Sequence, residues 1–361
     1  MFVAWRDLRF ARGRFALITV VVVLITMLVG FLSGLTSGLA NQNISAVEGL
    51  SADRIVFSAP AAGADLSFSD SGISTEQLAQ WRHALSDDVV APIGISMGKA
   101  VDGDKQASVA FWGVQTGMEN GGSVVAPERD GDVVLSQGAA DRLKASEGDK
   151  IRIADQSYTV SGVVGDAWYS HTPVVWMTLP DWQAYGKATG AGDAVATALA
   201  VSGSPAQSWS EIDATAGTSS TSVSGSFSAI GAFSSENGSL NLMVAMLYGI
   251  SALVIGSFFI VWTIQRSGDI AILKALGAST WSLVRDAVGQ ALVVLVLGVT
   301  IGIGITALFG MVASGTVPFV ISLGTTVVPG LAMIGLGMVG AAFALRTVVS
   351  SDPLTALGSN R

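Results

Sequence analysis

The sequence predicts a membrane protein: four transmembrane α-helices with a mixed α/β extracytoplasmic domain between the first and the second. Three observations predict it. Of 361 residues, 50% are hydrophobic and only 13% are charged, whereas soluble domains carry about 25% charged residues. The charges avoid three long blocks, 15–47, 237–265 and 287–345. Between the first two blocks lies a polar stretch patterned as short strands and helices.

Residues 1–40 form an amphipathic helix and the first span. Trp5-Arg6-Asp7-Leu8-Arg9-Phe10 reads as a helix on the inner membrane surface. The apolar run that follows is longer than the roughly 7–15 residues of a signal-peptide core, so it is expected to stay in place. A span needs about 20 apolar residues. The first block supplies one span near 15–37 and the second one near 240–264. The third block is long enough for two, near 288–313 and 327–346, with Pro318 and Pro329 as the break.

Residues 41–238 read as the extracytoplasmic α/β domain. Strands are expected at 108–114, 132–135, 174–179 and 196–201, and a hairpin at 150–154 and 157–164 around Asp155-Gln156. Helices are expected at 75–85, 137–144 and 181–187, with Ser74 or Thr75 as a cap and Pro180 opening the third. Asp102-Gly103-Asp104 reads as an exposed turn, because no Glu follows at calcium-loop spacing. The Ser-, Gly- and Thr-rich stretch 215–235 reads as a flexible linker into the second span. The remaining segments are the second span at 239–265, a loop at 266–286, the third and fourth spans at 287–348, and a tail at 349–361.

Lys and Arg set the orientation. They crowd the N-terminus (Arg6, Arg9, Arg12, Arg14), the 266–286 loop (Arg266, Lys274, Arg285) and the tail (Arg346, Arg361). Both termini and that loop are therefore expected in the cytoplasm of a plasma-membrane protein. The inner segments then carry a net +5 and the outer domain −13, so the chain's −8 belongs to the outer domain. Nucleic acid is a poor partner for such a chain. With no cysteine, disulfides, iron–sulfur clusters and thiolate zinc sites are excluded. With only His83 and His171, so is a polyhistidine metal site within one chain. Ser136, His171 and Asp181 lack a G-x-S-x-G elbow, and catalysis by the chain itself is not expected. No intrinsic cofactor is expected either.

The loop from Gln265 to Ser279 contains Arg266, Asp269, Ile270, Leu273, Lys274, Leu276 and Gly277. Ile270, Leu273 and Leu276 share one helical face, with Ile272 beside it; Gly277 can end the helix and Ser279 can begin the next. Such an apolar face can dock in a groove of a cytosolic partner. The run resembles the "RxxEIxxLKAxGAS" signature of FtsX/MacB-type ABC-transporter permeases, with Asp269 at the acidic position. The tail Asp352-Pro353-Leu354-Thr355-Ala356-Leu357 resembles that family's "DPxxAL" element, and Ala4 to Arg9 its N-terminal helix. The outer run Val134-Leu135-Ser136, Leu143, Glu147-Gly148-Asp149 resembles its extracytoplasmic domain.

The resemblance implies a mechanotransmission pump. A homodimer of permeases would work with two copies of a cytosolic ABC ATPase, which bind ATP and Mg. The chain has no G-x-x-x-x-G-K-[ST] motif of its own. ATPase closure would move the coupling residues Arg266, Asp269, Ile270, Leu273, Lys274, Leu276 and Gly277, and through them the spans and the outer domain.

The compact outer domain and single four-span unit are most similar to the HrtB-type haem-efflux permeases of Gram-positive bacteria. That similarity implies haem as the transported ligand, taken from membrane lipid at the outer leaflet. Glu48 or Glu236, near the outer ends of the first two spans, is the candidate ligand for the haem iron. Met27, Met243, Met246 and Tyr248 offer sulfur or phenol contacts, Phe31 apolar packing, and Arg54 a partner for a propionate. His171 and His83 lie far in sequence from the spans. Two other readings share the architecture: export of another amphiphile (antimicrobial peptide, macrolide or lipid), and an FtsX-like regulator of a cell-wall hydrolase.

Overall fold

The computed structural model describes residues 12–85, 89–116, 119–120, 124–265, 267–313 and 317–349. The amphipathic stretch expected at 5–10, Arg266 and the tail motif at 352–357 lie outside the described residues. In chain order, α1 (Arg12–Glu48) leads to β1 (Arg54–Ser58), α2 (Thr75–Ala84), β2 (Val90–Asp102), β3 (Lys105–Val114), β4 (Glu119–Asn120), β5 (Val124–Val125), β6 (Asp132–Leu135) and α3 (Gln137–Leu143). Then come β7 (Lys150–Ile153), β8 (Gln156–Val163), β9 (Trp168–Tyr169), β10 (Thr172–Thr178), α4 (Leu179–Thr189), β11 (Ala198–Val201), α5 (Trp209–Ala216) and β12 (Thr218–Ser222). A 3-10 turn (Gly225–Ala229) precedes α6 (Gly231–Gln265), α7 (Ser267–Ala275), α8 (Thr280–Ala313) and α9 (Leu323–Val349). One compact unit is Leu39–Gly238; the other comprises the described residues up to Gly38 and from Ser239 onward.

In the second unit, α1, α6, α8 and α9 are the four described helices long and apolar enough to cross a membrane. Helices in lipid gain by close approach where residues are small. A Cβ on Gly298 would stand 2.7 Å from Val22, and one on Gly302 the same distance from Thr26, so this pair seats α8 against α1. Gly340 of α9 faces Gly256 of α6, and Gly337 faces Leu295. A Cβ on Gly304 or Gly335 would meet nothing within 4 Å among the described residues. Pro329 is not where the third apolar block breaks. It lies inside α9, and the break comes at 317–322. There Ser322 caps α9, accepting from the Thr325 N–H while Thr325 Oγ1 accepts from the Ser322 N–H.

The outer unit is built on one sheet in the order β12-β1-β11-β2-β3-β10-β6-β8-β7. The far end of the 13-residue β2 also pairs with β7, Ala100 opposite Ile153 and Val101 opposite Arg152. The strands β2-β3-β10-β6-β8-β7 therefore close on themselves. Their interior is filled by Val109, Phe111, Leu135, Ile151 and Val175, together with Ala139 and Leu143 of α3. Gly94 and Gly113 sit opposite each other on β2 and β3, and the Trp182 side chain lies on them so closely that a Cβ on Gly94 would stand 2.1 Å from its ring and one on Gly113 2.7 Å.

The other half, β12-β1-β11-β2, alternates its side chains between two faces, as a pleated strand must. Val56, Leu199 and Val201 pack under α2 and α5 with Trp81 and Ile212. Ile55, Phe57, Ala198 and Ala200 form the opposite face, and there Ala46 and Val47 of α1 are fully buried with Ala229 and Ile230. The last turns of the first span helix are thus part of the outer core, well past residue 40.

Ser74 and Gln77 form a capping box on α2. Thr178 caps α4, Pro180 lies in its first turn, and Gly190 ends it at φ 81°. The Asp102–Lys105 turn carries Gly103 at φ 52°. The segment 215–235 is not a linker. Thr218–Ser222 pairs with β1 along five residues. Asp213 accepts from the Thr218 hydroxyl and from the Ser220 amide and hydroxyl. Thr218 and Ser226 are buried, and Ser222 Oγ accepts from the Gly225 amide.

Candidate functional site

The candidate haem residues fall in both units. In the outer unit, β9 and β10 are joined by the two-residue turn Ser170-His171, both with positive φ (49° and 62°). The Ser170 amide donates to Asn43 O and the His171 amide to Gln42 O, which fixes the turn to α1. Ser45 Oγ also accepts from the Trp168 amide at 2.9 Å. So placed, His171 Nε2 lies 3.0 and 2.9 Å from the two carboxylate oxygens of Glu236. The Asn43 side chain is buried and donates from Nδ2 to Leu39 O and to Glu236 Oε2. Distance along the chain argued against His171 having any part near the spans. The hairpin brings it to Glu236 across 65 residues.

Glu48, the last residue of α1, is exposed. Arg54 is engaged elsewhere: its guanidinium donates to Ser220 O and Oγ and lies 5.4 Å over the Trp209 ring. A propionate would have to compete with those contacts. A cavity of about 410 Å³ lies between Phe68, Met97, Tyr169, Trp182 and Tyr185. Among the described residues no charged side chain lines it, so these offer a propionate no partner. Burial raises the Tyr169 hydroxyl well above the usual tyrosine range.

In the membrane unit, Phe31 packs on Phe319 at 5.5 Å and Met27 is half-buried. Met243 and Met246 face outward from α6, whereas Tyr248 is turned into the bundle and shares a hydrogen bond with Ser33. One protomer therefore does not present Tyr248 together with the two methionines on one face of α6.

On the opposite side of the spans by sequence, α7 holds Asp269, Ile270, Leu273 and Lys274. Ile270 is half-buried, while Ile272, Leu273 and Leu276 are exposed, Leu276 at 79%. Gly277 ends the helix at φ 94°, its amide donating to Lys274 O and that of Ala278 to Leu273 O. Ser279 Oγ then accepts from the Ser282 amide and starts α8. Trp281, which the motif does not mark, is 73% exposed beside this turn in sequence. Ser136, His171 and Asp181 have separate partners: Ser136 caps α3, and Asp181 accepts from the Gly131 amide and the Thr178 hydroxyl.

The family of the MacB-like periplasmic core domain matches residues 15–228, and that of the FtsX-like permease C-terminal matches residues 241–353. The chain is 24% identical, over 100% of both lengths, to a Staphylococcus epidermidis (strain ATCC 35984) protein with the provisional name hemin transport system permease protein HrtB. It is 23% identical, over 99% of both lengths, to an uncharacterized ABC transporter permease of Mycobacterium tuberculosis (strain H37Rv). Among solved structures, the periplasmic region of MacB from Actinobacillus actinomycetemcomitans aligns with 50% of this chain and 92% of its own, at 13% identity and a TM-score of 0.34.

Proposed function

This chain belongs to the family of FtsX- and MacB-type ABC-transporter permeases, and on that premise we propose that it expels haem from the outer leaflet of the plasma membrane. The observation that carries the substrate is the full-length similarity to permeases named for hemin transport. The chain is a multi-pass membrane protein, and its homologues work with a cytosolic ATPase. We place both termini and α7 in the cytoplasm, following the Lys and Arg of 1–14 and 266–286. Two permeases and two ATPases form the working pump. ATP-driven closure of the ATPases pushes on Ile270, Leu273 and Leu276. Motion passes along the spans to the outer domain and displaces the bound substrate.

The residues offered to haem are those at the outer ends of α1 and α6. Glu236 or Glu48 supplies a carboxylate oxygen to ferric iron. Met27, Phe31, Met243, Met246 and Tyr248 supply apolar and sulfur contacts, with Met243 and Met246 on a different face of α6 from Tyr248. Arg54 serves a propionate only if it leaves Ser220. Titration of haem into the purified permease–ATPase complex tests the ligand. A saturable Soret shift lost in Glu236→Ala or in Glu48→Ala identifies it. A shift unchanged in both variants excludes both carboxylates.

A further inference from the structure

We infer that His171 is the fastening through which the outer ends of the first and second span helices are tied to each other and to the outer domain. The inference goes beyond the substrate reading and does not depend on haem. Three observations converge. The Ser170-His171 turn has positive φ at both central residues, a geometry that Gly and Asn adopt most readily. Ser and His pay backbone strain there, and strain held in place by surrounding bonds points to a task for the side chain. The turn is anchored on α1 by two main-chain hydrogen bonds and by Ser45. The imidazole then reaches α6, where Glu236 receives it on both oxygens.

The bond to Glu236 needs the proton on Nε2, which leaves Nε2 no lone pair for Asn43 Nδ2 3.1 Å away; Asn43 Nδ2 donates instead to Glu236 Oε2 at 3.4 Å. Asn43 belongs to α1, His171 to the β9–β10 turn and Glu236 to α6. One carboxylate thus gathers three chain segments, while Val47 and Ile230 on either side of the joint are buried in the same core. Charge-assisted hydrogen bonds of this kind are about twice as strong as neutral ones. Motion of either span helix must then pass into the β9–β10 hairpin and, through β10, into the centre of the sheet.

The test is hydrogen exchange of the full permease–ATPase complex in lipid nanodiscs, nucleotide-free and trapped with ATP and vanadate. In the nucleotide-free complex, His171→Ala and Glu236→Ala each speed exchange at 168–172 and 231–238, on the order of tenfold. The double variant is no faster than either single one, and His171→Gln, which keeps an N–H donor, restores most of the protection. In the trapped wild-type complex, exchange at 168–172 changes relative to nucleotide-free. His171→Ala abolishes that change and keeps the one at 267–277. Multiplying effects in the double variant, or a nucleotide response at 168–172 that survives His171→Ala, overturns the inference. No substrate is present, so a failure of the haem reading leaves these results readable.

Discussion

Gly340 and Gly256 face each other across α9 and α6 so closely that a Cβ on Gly340 would stand 2.9 Å from the Gly256 Cα. Gly340 cannot gain a side chain without moving a helix, whereas a Cβ on Gly256 would stand 3.6 Å from the Gly340 Cα, an ordinary contact. Gly340→Val is therefore expected to lower the stability of the membrane unit by about 1–3 kcal/mol, the usual range for overpacking. Gly335→Ala in the same helix meets nothing within 4 Å and is expected to be neutral or slightly stabilising. Thermal melting of both variants in nanodiscs checks the contrast. Equal melting would remove close approach as the reason for Gly340.

The Trp182 ring rests on the Gly94–Gly113 pair. Gly113→Val forces the indole off the sheet and breaks the Trp182 Nε1 bond to Ser96 Oγ. We expect a loss of about 1–3 kcal/mol, seen as early proteolytic nicking of the outer domain at temperatures where the wild type resists. The cavity beside Trp182 is remodelled at the same time. Unchanged protease resistance contradicts this account of the glycine pair.

Leu276, just past α7, is 79% exposed, more than Ile272 or Leu273 of that helix. Leu276→Asp is expected to weaken the complex with the ATPase at least about tenfold, as loss of a buried anchor does, while the permease itself melts as before. Binding of the purified ATPase to permease nanodiscs measures it. Wild-type affinity in the variant would take the apolar face of α7 out of the docking surface.

Acid stability carries a signature of the helix caps. The Ser208 amide donates to the Glu211 carboxylate, which holds that carboxyl below its usual 4.5, as Glu76's own backbone amide and then the Ser74 hydroxyl do for Glu76. A carboxyl with a depressed folded pKa stabilises above its unfolded pKa, and loses that contribution as pH falls through the folded value. The outer domain should therefore lose stability on acidification below about pH 4.5, and Glu211→Gln should flatten that loss while lowering stability at neutral pH. Parallel pH–stability curves for wild type and variant would contradict the assignment.

These features differ in how legible they were. The four spans were readable from charge-free blocks, because a bilayer punishes every charge in its core. The hairpin of β7 and β8 was readable from alternation, and β6 was readable as a short strand. Strand β2 was not, since Pro92, Gly94, Gly98 and Lys99 interrupt its apolar pattern. Its glycines serve Trp182 and Phe111, partners that only the folded sheet supplies. Strand β12 is Thr-Ser-Ser-Thr-Ser, a composition that reads as loop until Asp213 and β1 provide its bonds. Glu236 was visible as a carboxylate near a span. Its bond to His171 was not, because a hairpin turn 65 residues away carries the partner. Tyr248 looked like a neighbour of Met246 in sequence, but helical rotation sends it to the other side of α6.

The central claim, haem expelled by a permease driven from a separate ATPase, is tested most directly by reconstituting the complex in haem-loaded liposomes. The measurement is haem transfer to an acceptor protein outside, with ATP and with an ATPase subunit whose Walker lysine is replaced. The account predicts ATP-dependent transfer that disappears with the dead ATPase and with Leu276→Asp. Transfer at the same rate without ATP hydrolysis, or no transfer from a complex that hydrolyses ATP normally, would contradict it.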